Sequence, residues 1–209
     1  MKALLGRTAV AVGVGFATVL AARAISRARA RSTDRLPIPY DSASNRVLIL
    51  GGGFAGLHTA RRLATLMKKG PGVALRLVDS AESMTFWPMV PEMITGVIQA
   101  AHVMRPLREE LVGLGVEFIN ADVKAGDLDR RTIQTSAGEM GYDELVIAMG
   151  WKTAFFGTPG AREHCMTMES LADAVAIRNR VIEKLEAVSS GHRSDLEVVV
   201  VGGGSTGVE

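Results

Sequence analysis

The sequence predicts an α/β fold built on a parallel sheet. Two stretches predict it: "RVLILGGGFAGLHTA", beginning at Arg46, and "VVVVGGGSTGVE", ending at Glu209. In each, an apolar, β-branched run feeds directly into three glycines. A short apolar run without alternation reads as a strand covered on both faces, as parallel sheets require. The third observation is Leu57, Ala60, Leu63, Ala64 and Met67 at helical spacing straight after the first glycines.

The first strand is expected at "VLIL", Val47 to Leu50. Gly51, Gly53 and Gly56 then supply G-x-G-x-x-G, and the helix follows. Strand, glycine turn and helix together are the context in which this motif carries meaning. The first glycine makes the tight turn. The second admits a pyrophosphate close to the backbone, and the third lets helix and strand pack closely. Phosphate then meets the free N–H groups at the helix N-terminus. The next strand is expected at "VALRLVD", ending in Asp79, 23 residues after Gly56. An acid there suits the ribose hydroxyls of an adenosine and repels a 2′-phosphate. The expectation is a dinucleotide site of Rossmann type.

The second glycine motif comprises Gly202, Gly204 and Gly207 after an expected strand "LEVVVV", Leu196 to Val201. Its first glycine lies 151 positions beyond Gly51, about one domain's length. Two such units suggest two dinucleotides, typically a flavin nucleotide and a nicotinamide nucleotide. No helix or acidic strand end follows before Glu209, so the sequence reads as the N-terminal part of a longer protein.

Composition narrows the class. The apolar fraction is 47% and the charged fraction 22%, as in globular α/β proteins. The net charge of +2 is unevenly spread. Residues 1–35 carry +6, from Lys2, Arg7, Arg23, Arg27, Arg29, Arg31 and Arg35 against Asp34, and the remainder carries −4. A mildly acidic folded part has no basic footprint for nucleic acid. Thr8 to Ala22 is a 15-residue uncharged stretch. At 1.5 Å per residue it spans roughly 22 Å, short of a bilayer core of roughly 30 Å. Leu4 and Leu5 extend it, with Arg7 placed to snorkel. A membrane anchor, a secretory signal and an amphipathic or disordered extension are the three readings. The five arginines from Arg23 to Arg35 argue against export and hold the following domain on the cytoplasmic side. Residues 36–45 read as a linker.

The middle of the chain reads in order. Pro88 and Pro91 break "SAESMTFWPMVPEMITG" into loop, and Pro106 starts a helix with Leu107, Leu111 and Leu114 on one face. "VEFINADVKAGDLDRRTIQTSAGEMGYDELVIAMG" reads as short strands with turns at "DRR" and "SAGEMG", the last strand buried and ending at Gly150. A long helix follows Ser170, which forms a capping box with Asp173. Its expected buried stripe is Leu171, Ala174, Ile177, Val181, Leu185 and Val188, and Gly191 stops it.

Six blocks now resemble a known family. "ILGGGFAGLHTA", "FWPMVPEMITG", "DLDRRTI", "YDELVIAMG", "FFGTPG" and "VVVVGGGSTGVE", in that order, resemble the type II NADH dehydrogenases. These are non-pumping NADH:quinone oxidoreductases of the two-dinucleotide flavoprotein fold. The resemblance runs from about Arg46 to Glu209. It implies FAD on the first glycine motif and NADH on the second. It divides the chain into an FAD-binding part at 46–160 and the start of an NADH-binding domain at 161–209. It places Gly51, Gly53, Phe54, Ala55 and Gly56 on the FAD pyrophosphate, Asp79 on its ribose, and the Val123 backbone on its adenine. Ala148 and Gly150 would lie beside the cofactor, with Met149 where the family writes threonine. Trp87 and Pro91 also depart from the family's usual residues. Glu209 matches an acid set between nicotinamide, flavin and quinone. Hydride would pass from NADH to flavin and electrons to a quinone, with no metal. A membrane surface and a homodimeric partner belong to the same family reading.

The rivals are sulfide:quinone oxidoreductases and other flavoprotein reductases of this fold, and, outside the enzymes, a redox sensor or an inactive fragment; residues 1–209 alone are expected not to oxidise NADH. Cys165, the single cysteine, excludes an internal disulfide and is expected to be a small buried hydrophobe. His58, His102, His164 and His192 show no metal spacing and read as surface residues. Arg61 and Arg62 read as a solvated helix face. Trp87 and Trp151 suit either a flavin's surroundings or ordinary loop packing.

Overall fold

In a computed structural model of the chain, residues 39–67, 72–192 and 194–208 are described. The expected N-terminal anchor lies outside them, as does Glu209. Among the described residues no helix is long and apolar enough to cross a membrane.

Strand β1 (Asn45–Leu50) is followed by helix α1 (Phe54–Met67), β2 (Val73–Asp79) and the short β3 (Ser83–Thr85). Helix α2 (Val90–Ile94), β4 (Met104–Pro106), α3 (Leu107–Glu110) and β5 (Val116–Asn120) come next. Then come β6 (Val123–Asp127), β7 (Thr132–Thr135), β8 (Gly138–Gly141) and β9 (Glu144–Ile147). Helices α4 (Ala161–His164), α5 (Leu171–Ser189) and α6 (Ser205–Val208) complete the order.

Four parallel strands form a sheet in the order β5-β2-β1-β9. Alternation along them sorts side chains into two cores. Val47, Ile49, Leu75 and Leu77 meet Leu57, Ala60 and Ala64 of α1 on one face. Leu48, Leu50, Ala74 and Val78 meet Tyr40, Ile133, Met140 and Tyr142 on the other. The last three come from the antiparallel sheet β6-β7-β8 and the residue just past it. The central strands are therefore covered on both faces, which explains why they read as unbroken apolar runs. Arg76 is the exception. It is buried in the middle of β2, held by Glu117 at 2.9 Å and Asp41 at 3.3 Å, and stacked 4.0 Å over the Tyr40 ring. Burial pushes the Tyr40 hydroxyl up to about 12, and that hydroxyl donates to the Gly141 carbonyl.

Several expectations need correction. Pro91 sits inside the first turn of α2 instead of breaking the chain, because a helix start has no use for the missing N–H. The helix after Pro106 is only four residues, since Gly113 and Gly115 take positive φ and unwind it. Leu107 and Leu111 are buried all the same. "GEMG" is strand β8, anchored by buried Met140, and the turn is only the residues before it. Strand β9 is half-exposed, because it is the sheet's edge among the described residues. The stripe of α5 is buried only at Ala174, and Leu185 is exposed. That helix packs on α2, which is five residues long and covers only its start.

The expected strand Leu196 to Val201 has no sheet partner among the described residues, and Val198 to Val201 are exposed. A strand needs a ladder to satisfy its backbone, and none is present beside it. The expected stop of α5 stands. Gly191 takes φ 75° and donates to Val188, and His192 donates to Ala187, which closes the last carbonyls of the helix.

Candidate functional site

The site begins where β1 runs out. β1 has β2 on one side and β9 on the other, so the order of strands reverses at it while all stay parallel. The crevice at the carboxyl end of such a strand is where open α/β sheets take ligands. Gly51 turns the chain there with φ 103°, its N–H donating to Val78 at 2.8 Å. A Cβ on Gly51 would lie 2.1 Å from the Ala148 carbonyl oxygen, and one on Gly56 would lie 1.7 Å from that of Gly51. No side chain fits either position. Gly53 differs, for a Cβ there would meet nothing within 4 Å. Its openness faces outward, toward whatever approaches the turn.

Helix α1 starts at Phe54, and the Leu57 N–H bonds back to Gly53 at 2.9 Å. The N–H groups of Phe54, Ala55 and Gly56 precede Leu57, the first intrahelical donor, and point out of the helix end. No acid occupies that first turn, so the positive end of the helix dipole is left for an external anion.

Asp79 closes the turn from the side. Its Oδ2 accepts the Gly52 N–H at 2.5 Å and its Oδ1 the Ala81 N–H at 2.7 Å. The carboxylate retains further lone pairs. Asn120 donates to the carbonyls of Asp79 and Ser80 at 3.1 and 2.9 Å, and the Ala121 N–H donates to that of Asp79 at 3.0 Å. The ends of β1, β2 and β5 are thus bonded into one rim. Val123 follows two residues after Ala121, half-buried at the start of β6.

Ala148 is a wall of the turn: its N–H donates to Leu50 at 2.7 Å and its carbonyl abuts Gly51. Gly150, two residues on, is exposed with φ 75°. Opposite lies the β3–β4 pair. Leu107 packs where a Cβ on Gly52 would be 2.5 Å from its methyl, and the Phe86 ring meets the Phe54 ring edge-on at 5.5 Å. Arg61 is not simply solvated, since it pairs with Glu110 of α3.

The second glycine run repeats the geometry of the first. Gly202 takes φ 121°, a Cβ on Gly204 meets nothing, and one on Gly207 would lie 2.1 Å from the Gly202 carbonyl. The helical turn α6 starts at Ser205, directly after. The expectation that no helix follows is corrected to this single turn. The two runs differ in surroundings, for among the described residues Gly202 has no neighbour in the place that Ala148 takes beside Gly51.

The structure therefore brings Gly51, Gly53, Phe54, Ala55, Gly56, Asp79 and Ala148 together and leaves Gly202, Gly204 and Gly207 as a separate turn. Cys165 is exposed, against the expectation of burial, because the short α4 packs no core over it. His58, His102, His164 and His192 are exposed as expected. Trp87 is partly buried against Val90 and Met93, while Trp151 is exposed. Sequence reasoning missed Asn120 and the seat of Leu107. The one available signal was Gly52, a glycine at a position where the motif accepts any residue.

The chain is 33% identical over 175 residues to a demethylphylloquinone reductase of Synechocystis, matching 80% of this chain and 42% of that protein. It is 28% identical over 167 residues to a type II NADH:quinone oxidoreductase of Staphylococcus aureus, matching 78% of this chain and 41% of the relative. The chain thus spans about two fifths of the length of these curated relatives. Among solved structures, a sulfide:quinone oxidoreductase from Aquifex aeolicus superposes with a TM-score of 0.60 at 29% identity, over 70% of this chain and 33% of that one. NDH2 from Plasmodium falciparum, solved with NADH, gives 0.60 at 20% identity over 68% of this chain and 30% of its own, a likeness of fold. The family model described as pyridine nucleotide-disulphide oxidoreductase matches residues 45–209, both glycine turns included, and the chain belongs to that family.

Proposed function

We propose that this chain provides the FAD site and part of the NADH site of a flavin-dependent NADH:quinone oxidoreductase. The observation that carries the reading is the repeated turn. Gly51 with Gly56, and Gly202 with Gly207, make the same carbonyl-to-glycine closure at the foot of a helix. Each closure aims free N–H groups at one point, which suits a pyrophosphate. The first turn has the acid and the wall that an adenosine dinucleotide needs, so FAD is assigned to Gly51, Gly53, Phe54, Ala55, Gly56 and Asp79. Val123, Ala148 and Gly150 border it. NADH is assigned to Gly202, Gly204 and Gly207, with Glu209 next to them in sequence.

When bound, the flavin supplies the hydride and electron chemistry. The chain's own share is positional. The N–H groups of α1 neutralise phosphate charge. Asp79 fixes the glycine loop through Gly52 and offers its remaining lone pairs to ribose hydroxyls. Leu107 closes one side of the turn with its methyls, and Ala148 closes another with its backbone carbonyl. The names of the Synechocystis and Staphylococcus relatives support a quinone as acceptor. The N-terminal apolar stretch with its arginines supports a membrane surface, approached from the cytoplasmic side.

A second reading, sulfide oxidation with a quinone, is favoured by the Aquifex structure and by the exposure of Cys165. That chemistry uses more than one sulfur beside the flavin, and this sequence has one cysteine. The test is a titration of the purified protein with FAD, followed by a comparison of NADH and sulfide as donors to a soluble quinone. FAD binding that Gly56→Val abolishes, with NADH the better donor, is expected. Preference for sulfide would replace the proposal by the second reading.

A further inference from the structure

The segment between β3 and β4 is a compact insertion with its own core. Val90, Met93 and Val103 are fully buried there together with Ala174 of α5. Its base is closed by the Phe86 N–H, which donates to Val103 at 2.7 Å, and by the Leu107 N–H, which donates to Glu82 at 2.9 Å. Phe86 is therefore the fixed first residue of the insertion. Phe86 is 36% exposed, and its ring meets that of Phe54, a residue that is 38% exposed. Phe54 is the first residue of α1 and lies within the glycine turn itself.

Half-exposed phenylalanines contribute little to a core. They touch edge-on, centroids 5.5 Å apart and planes at 61°, the arrangement that aromatic quadrupoles favour. Nothing in the packing of β1 or α1 requires the contact, because α1 is already seated by Leu57, Ala60 and Ala64. What the contact does is join a rigid insertion to the backbone whose N–H groups face the phosphate.

We propose that Phe54 and Phe86 are positioning residues for the dinucleotide: the ring pair holds the N–H groups at the start of α1 in their binding geometry. This rests on the assignment of the first turn to FAD, but one of its tests does not. An aromatic pair is worth about 0.5–1.5 kcal/mol beyond its buried area. Removal should weaken FAD binding by roughly twofold to tenfold.

The experiment uses the whole chain in five forms: unaltered, Phe54→Leu, Phe86→Leu, both together, and Phe86→Tyr. Leucine keeps the apolar contact, and thermal unfolding checks that each form is folded. FAD affinity is read by flavin fluorescence, and amide exchange of Leu57, whose N–H bonds to Gly53, is read without ligand. Each single change should weaken FAD and speed that exchange, the double change should do no more than either single one, and Phe86→Tyr should restore both. Additive losses, or an exchange rate that Phe86→Leu leaves unchanged, would overturn the pairing. Failure of the unaltered chain to bind FAD would count against the flavin assignment alone, with the exchange measurement still deciding whether the rings position the turn.

Discussion

At the scale of single residues, the candidate site turns on atoms for which only one chemistry fits. Asp79 does two things at once. It accepts the Gly52 N–H, and Gly52 is buried, so no water replaces that acceptor. Asp79→Ala should leave a buried donor unpaired, at a cost of about 1.5–3 kcal/mol. It should also remove the group proposed to bond the ribose. FAD bound per chain after purification should fall sharply, and Asp79→Asn, which keeps an acceptor for Gly52, should lie between. Flavin content unchanged in Asp79→Ala would count against the assignment. Cys165 makes the opposite case. It is exposed and outside the rim, so Cys165→Ser should leave FAD affinity and NADH turnover within experimental error. Loss of turnover with sulfide as donor would show that the thiol takes part. Asp79 was legible in the sequence because spacing from Gly56 gives its place. Asn120 was not, because an amide bonded to two carbonyls leaves no pattern in its neighbours.

At the scale of elements, legibility followed burial. β1, β2 and α1 were readable because packing covers them and enforces their periodicity. The stripe of α5 has the same periodicity but little to pack on, so its end points were correct while its burial was not. Those end points rest on local chemistry. The Ser170 hydroxyl accepts the Asp173 N–H at 3.2 Å, and the Asp173 carboxylate accepts the Ser170 N–H at 2.8 Å. Ser170→Ala should destabilise the helix by about 1 kcal/mol, measured by thermal unfolding. The Ser170 hydroxyl and the neighbouring N–H groups hold the Asp173 carboxyl below its usual range. A carboxyl depressed in the folded state stabilises fully above its unfolded pKa, near 3.9. That contribution should fade as pH falls below about 4 through the folded value. Asp173→Asn should flatten the acid limb of the unfolding curve relative to the parent. An identical acid limb in both would show that the box is not what titrates.

At the scale of the whole molecule, the two glycine turns are alike in themselves and unlike in what surrounds them. The first lies in a four-stranded sheet, bordered by Ala148 on one side and Leu107 on the other, with Asp79 bonded into its loop. The second follows Val198 to Val201, which are 60–81% exposed, and no side chain takes the place of Asp79 or Ala148 beside it among the described residues. A helix N-terminus supplies charge and donors, but tight binding of a dinucleotide also needs most of the ligand's surface removed from water. The same turn should therefore hold its ligand more firmly in the first setting than in the second. In this chain, FAD should bind more tightly than NADH by at least one order of magnitude, about 1.4 kcal/mol. Gly56→Val should abolish the FAD signal, because its Cβ enters the Gly51 carbonyl. Gly207→Val should leave FAD binding as it was, since the turns share no residue. Parallel fluorescence titrations with the two nucleotides measure both effects. NADH binding as tight as FAD, or an FAD affinity that Gly207→Val lowers, would show that the two turns form one site and that their separate surroundings do not set their affinities.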